Sequence, residues 1–262
     1  MPRKVEIQPP PELAVKFVLV GQEGVGKTSF PAYAPKPHFL MHKMERGYQT
    51  LASAGRLPSC TSAVVEDWQD LLGWIDDLIA NPQGVKTLVL DALTGFAADC
   101  EEYITQTAFG GSRARFTDFG KGYDLSADEF RKFLESLERL HQEHRMNVVC
   151  LVHSNTTRFK NPDGNDYDRW AGDLRDKVWD MVRRWPDELL FMKFESTTIG
   201  AKRPEDKGKG RGRDERVIQA RHGATTDAKS RHGLPARIEI GNDVSQVWPA
   251  VWRHIEPQKG TK

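Results

Sequence analysis

A chain of 262 residues, 38% apolar and 29% charged, is long enough for one large domain with a full core. No run approaches the roughly 20 consecutive apolar residues that span a bilayer, and the proline-rich, charged amino terminus has no signal-peptide pattern, so no membrane partner is expected. A net charge of +1 excludes a protein that holds nucleic acid by global charge alone, and Cys60, Cys100 and Cys150, with no C-x-x-C pair, read as buried thiols of a reducing cytoplasm.

Residues 1–14 carry four prolines and read as a loose arm. Val15 to Val20 is a short apolar run, the pattern of a strand buried on both faces. It leads directly into Gly21-Gln22-Glu23-Gly24-Val25-Gly26-Lys27-Thr28-Ser29, a complete P-loop pattern. Glycines let such a loop turn consecutive backbone N–H groups around a phosphate. Lys27 would place a compact cation at the β- and γ-phosphates, and the Thr28 hydroxyl would ligate Mg²⁺. A helix from Gly26, cut short by Pro31, Pro35 and Pro37, would aim its positive end at the same anion. The expected ligand is ATP with Mg²⁺.

Further along, residues 38–42 and 62–65 read as strands, and 68–80 as a helix with Leu71, Leu72, Ile75, Leu78 and Ile79 on one face. Residues 81–84, Asn-Pro-Gln-Gly, end it as a turn. A strand over 86–91 stops at Asp91, and a helix over 94–108 follows. Residues 109–125 read as a glycine-rich, basic and aromatic loop. Ser126, with Glu129 three residues on, predicts a capping box that opens a helix to about Arg145. Residues 147–152 are a buried strand that ends at His153, followed by a loop over 156–170. A helix over 173–185, a strand over 188–194 and strands near 216–221 and 237–240 complete the order. Between them, Lys202 to Arg216 holds seven basic and four acidic residues among Gly208, Gly210 and Gly212, a composition that predicts a mobile loop. Apolar strands alternating with helices predict a mainly parallel sheet covered on both faces.

The chemistry beyond the P-loop follows from strand ends. Asp91 closes an apolar strand 64 positions after Lys27, the place of an acid that holds a Mg²⁺-bound water. Ala92 rather than Glu follows it, so the carboxylate that orients the attacking water must come from elsewhere. Glu45, just past the second strand, is the candidate, because ligands of α/β sheets bind at the carboxyl ends of strands. His153 ends its strand at the same edge and is the candidate sensor of the γ-phosphate.

Together these parts resemble the plan of RecA-like ATPases, and more closely the phage RecA-like ATP-binding proteins of the Sak recombinase group, its fourth class, within the AAA-type P-loop ATPases. The resemblance rests on the P-loop, Glu45-Arg46-Gly47, the strand ending at Asp91, and Leu-Val-His153-Ser154. It also rests on Asp163-Gly164 with Tyr167-Asp168-Arg169-Trp170, and on residues 228–235, Ala-Lys-Ser-Arg-His-Gly-Leu-Pro. It implies a RecA-like P-loop NTPase fold over 15–245, with a C-terminal antiparallel hairpin and a tail over 246–262. It also implies a homo-oligomer, ring or filament, in which Lys229 and Arg231 reach the neighbouring subunit's nucleotide. Two cations two residues apart on an extended segment face the same side and would neutralise charge developing on the γ-phosphoryl group. The resemblance further implies that Arg113, Arg115, Phe116 and Lys121, and Arg158 and Lys160, contact single-stranded DNA in recombination or strand annealing. Arginines there would neutralise phosphates and an aromatic would stack on a base. A single-strand DNA-binding protein is a further expected partner, in the bacterial host cytoplasm. A P-loop small-molecule kinase and a nucleotide-switched loader of a partner protein are the alternatives.

Overall fold

The computed structural model describes residues 13–199 and 209–256. From the amino end the elements are β1 (Lys16–Gly21), α1 (Ser29–Ala32), β2 (Pro37–His42), α2 (Gly47–Ser53), β3 (Thr61–Val65) and α3 (Trp68–Ala80). Then come β4 (Thr87–Asp91), α4 (Leu93–Phe109), α5 (Arg113–Thr117), α6 (Lys121–His144), β5 (Asn147–Phe159), β6 (Tyr167–Gly172) and α7 (Asp176–Arg184). The last are β7 (Glu188–Ile199), β8 (Lys209–Gln219), β9 (Lys229–Ser230), β10 (Arg237–Gly241) and α8 (Val247–Trp252).

The sheet order is β10-β8-β7-β1-β5-β4-β2-β3, with β6 paired to β5 and β9 to β7. Strands β7 to β3 along that order are parallel, while β8 and β10 run antiparallel at one edge. The expected mainly parallel sheet with a C-terminal antiparallel ribbon is therefore the architecture found. Every residue of β1 and β4 is buried, as a central parallel strand with helices on both faces requires. Alternation along β1 sorts its side chains between two cores. Val18 and Val20 pack with α3, α4, α6 and α7, whereas Phe17 and Leu19 pack with α1, α2, α8 and the C-terminal strands.

Helix α3 starts where Asp67 accepts a hydrogen bond from the Asp70 backbone N–H at 2.9 Å, and it buries Leu71, Ile75 and Leu78 along one face. Several expected loops and caps are replaced by regular structure. The segment 109–125 holds α5 and the first turn of α6, and Gly110, Gly111 and Gly120 sit at φ of +58°, +79° and +73° at the corners. Ser126 is no cap but lies inside α6, where its hydroxyl donates to the Gly122 carbonyl at 2.9 Å. The expected loop over 156–170 is mostly a hairpin of β5 and β6. Of the expected mobile loop, residues 209–216 belong to β8, and 202–208 lie outside the described residues, as does most of the amino-terminal arm. Cys100 and Cys150 are buried but Cys60 is only partly so, and burial pushes the thiol of each up.

Of the expected tail, helix α8 packs into the core, and residues 257–262 lie outside the described residues. The helix packs Trp248 against both Phe17 and Phe30, with ring centroids at 5.4 and 5.0 Å, and Trp252 stacks outside it at 5.2 Å. Trp248→Ala should therefore cost about 3–5 kcal/mol, the range for deleting a buried aromatic, read as a lower denaturant midpoint. An unchanged midpoint would place α8 outside the cooperative unit.

Candidate nucleotide site

The carboxyl ends of β1 and β4, the middle of β5 and the turn after β2 converge on one cavity of about 640 Å³ above the P-loop. Gly21 closes β1 so tightly against β7 that a Cβ there would meet the Met192 carbonyl oxygen at 2.5 Å. Gly24 and Gly26 hold φ of +71° and +100°, conformations that side-chain-bearing residues rarely adopt. Val25 points into the core, Glu23 stays exposed, and Ser29 is buried. Helix α1 is only four residues long, so its dipole is a minor contribution and the anion site rests on loop N–H groups and Lys27.

The Lys27 ammonium donates to the carbonyls of Gly21 at 2.8 Å and Gln22 at 3.0 Å. Burial pushes its pKa down, against the pull of Asp91, Glu45 and Glu23. The Thr28 hydroxyl donates to Asp91 Oδ2 at 3.0 Å. Burial pushes the Asp91 carboxyl up to about 6, partly offset by the Thr28 hydrogen bond and by Lys27. A hydroxyl and a carboxylate side by side are the hard oxygen donors Mg²⁺ takes, with substrate phosphates and water filling the remaining positions. A divalent cation would also favour the ionised form of this buried acid. Thr28 and Asp91 thus fit Mg²⁺. Among the described residues no group of three or more His, Cys, Asp and Glu offers a separate metal site.

Glu45 and His153 come together at 2.7 Å between Oε1 and Nε2. His153 Nδ1 lies 3.5 Å from the Lys27 ammonium. An ammonium only donates, so Nδ1 is the accepting nitrogen and Nε2–H donates to Glu45, a tautomer assigned from its partners. That hydrogen bond, foremost, holds the Glu45 carboxyl below the usual range, against the opposing effect of burial. The turn carrying Glu45 is itself held. Its N–H donates to the His42 carbonyl at 2.7 Å, and the His42 ring pairs with Asp99 at 3.2 Å. A Cβ on Gly95 would strike that ring at 2.6 Å, so helix α4 can pass there only with glycine. The sequence signals for Glu45 and Asp91 are their strand ends. His153 does not end its strand as expected, because the outer half of β5 pairs with β6 and the strand continues to Phe159. Nothing in the chain order marks His42 and Asp99 as their support, nor Arg216 of β8, which also lines the cavity.

Lys229 and Arg231 are not brought to this cavity. Strand β9 pairs with Glu188 and Leu189 at the start of β7, while the P-loop strand ends beside Met192. Lys229 donates to the carbonyls of Arg183 at 3.3 Å and Arg184 at 2.9 Å, and Arg231 pairs with Asp187 at 2.8 Å. Of the residues expected to touch DNA, Phe116 is fully buried between Phe109 and Tyr123 and cannot stack on a base. Arg113 lies over the Phe116 ring at 4.4 Å and pairs with Glu101 at 3.0 Å. Arg115 and Lys121 are exposed on the same corner. Arg158 and Lys160 are exposed on the β5–β6 hairpin, with Arg158 paired to Asp168 at 3.3 Å.

A glycine loop carrying Lys27 and Thr28 after a buried parallel strand, with a metal-side acid on a second strand, defines a P-loop nucleoside triphosphatase. The AAA domain family matches residues 13–232, and the chain belongs to it. It is a nucleotide-binding ATPase of that AAA type. No curated protein matches the chain. No helix among the described residues is long and apolar enough to cross a membrane.

Proposed function

We propose that this ATPase is a RecA-like protein of phage recombination, which binds single-stranded DNA and works as a homo-oligomer, ring or filament, in homologous recombination or strand annealing. Within one subunit, Lys27 and the loop N–H groups hold the phosphates, Thr28 and Asp91 hold Mg²⁺, and Glu45 orients the attacking water. His153, bound to Glu45 and beside Lys27, senses the γ-phosphate. The observation that carries the oligomeric part is the distance between parts. Arg231 is 55% exposed on the amino end of the sheet, away from its own P-loop, as a cation that serves a neighbour must be. Support for the DNA part is the exposed corner of Arg115 and Lys121, where Phe119, 91% exposed at φ of +50°, takes the stacking role that buried Phe116 cannot.

The test is the ATPase rate with and without single-stranded DNA, run alongside binding at increasing salt. DNA should stimulate turnover in the intact protein but not in Arg231→Ala, and binding should weaken steeply with salt as counterions are released. A small-molecule kinase is the second reading, favoured by the way the cavity extends to Leu51, Arg56 and Leu57 beyond the P-loop. No DNA binding at low salt, with monomeric phosphoryl transfer to a small acceptor, would select it.

A further inference from the structure

The cavity above the P-loop is lined by Glu45, Asp91 and His153, and Arg216 enters it from β8. The Nε of Arg216 lies 3.7 Å from the position a Cβ on Gly26 would occupy. That Nε is buried and has no hydrogen-bond partner. Its guanidinium lies 5.3 Å from the centroid of the Phe194 ring, which limits its freedom. The backbone is shaped to aim it. Pairing between β7 and β8 jumps from Phe194–Arg216 to Ser196–Gly212, and on the other side Arg216 faces Gly241 at a second irregularity in β10. Bulges of this kind re-aim a side chain beside an active site.

A buried donor without a partner is costly, and a guanidinium is the donor best matched to a phosphate's planar pair of oxygens. The Gly26 stretch of a P-loop cradles the α- and β-phosphates, while its lysine reaches the β- and γ-phosphates. We propose that Arg216 is a nucleotide clamp acting in cis, hydrogen-bonding the α- and β-phosphates of a bound nucleoside di- or triphosphate across the loop from Lys27. The clamp rests on the nucleotide-binding reading of the P-loop. It grips both ligands alike, so its loss is read in the affinity for each. It also ties the β7–β8 ribbon to nucleotide occupancy, because the arginine leaves that ribbon at its bulge.

The experiment is calorimetric titration of the full chain with ADP and with a non-hydrolysable ATP analogue plus Mg²⁺, together with single-turnover hydrolysis at saturating ATP. Arg216→Ala should weaken both ligands by a similar factor, roughly 10- to 100-fold for a lost charged hydrogen bond. Arg216→Lys should recover part of the affinity, and mixing Arg216→Ala with Lys27→Ala protein should recover none. Unchanged affinity in a folded Arg216→Ala protein would overturn the clamp, as would lost hydrolysis at unchanged affinity, or recovery on mixing. Should Arg216→Ala not fold, the same measurements on Arg216→Lys and Arg216→Gln decide, since equal affinity in both would also overturn it. An intact protein that binds neither ligand would instead overturn the nucleotide reading itself.

Discussion

Glu45→Gln should bind nucleotide as the intact protein does yet hydrolyse it roughly 10²- to 10⁴-fold more slowly, the usual share of a general base. The substitution is nearly isosteric, and its amide oxygen can still accept the hydrogen bond that His153 Nε2 gives Glu45 at 2.7 Å. The turn that positions residue 45 depends on backbone contacts with His42 and so survives the change. What disappears is the negative charge that, in the role proposed for Glu45, polarises water in line with the γ-phosphate. The hydrogen bond from His153 keeps Glu45 ionised well into mild acid, so the intact enzyme has this charge throughout the neutral range. Single-turnover hydrolysis, measured beside nucleotide affinity, checks it. Near-normal turnover would assign the water to another group.

Lys27→Ala should lower affinity for Mg²⁺ and ATP by roughly 10²- to 10³-fold, since an ammonium makes more than one charge-assisted bond to phosphate. The fold should persist, because the side chain lies in the loop above β1 and contributes to neither apolar core. The mutation also removes the nearest cation from Asp91 and Glu45 and leaves the Gly21 and Gln22 carbonyls without their donor. Calorimetry on a protein with a native thermal transition reads the result. Unchanged affinity there would remove the phosphates from this loop.

Legibility in the chain follows burial. Strands β1 and β4 and the inner half of β5 are buried on both faces, so each is an apolar run that needs no partner to be recognised. Helix α3 is legible to the residue because Asp67 starts it and Asn81-Pro82 stops it. The outer half of β5 and β6 are hard to read in side-chain type, because most of their residues are polar or charged and the two strands are registered by pairing with each other. Glycines mislead between residues 109 and 125. They mark two corners rather than one loop, Gly110-Gly111 before α5 and Gly120 before α6, and only the helices packed around Phe116 reveal it. Within the site, Lys27, Thr28, Asp91, Glu45 and His153 can be found from motif, strand ends and, for His153, the end of the buried run of β5. Arg216 cannot, because its aim depends on where β8 bulges, and register is set by partners rather than by local composition.

Strand β5 is continuous from the core past the P-loop, so it could act as a beam with its fulcrum at His153. It passes between β1 and β4, presents His153 level with Gly21, and continues without a break to Phe159. The His153 carbonyl and the Asn155 side chain are both anchored to Asp173, at 2.7 and 3.0 Å, on the far arm of the same hairpin. From His153 to the tip is about 20 Å of continuous strand at the usual rise per residue. A tilt of about 10° at the imidazole would therefore sweep the tip of the hairpin through more than 3 Å, about one residue's rise along a strand. Loss of a γ-phosphate and movement of a distant surface would then be the two ends of one rigid element.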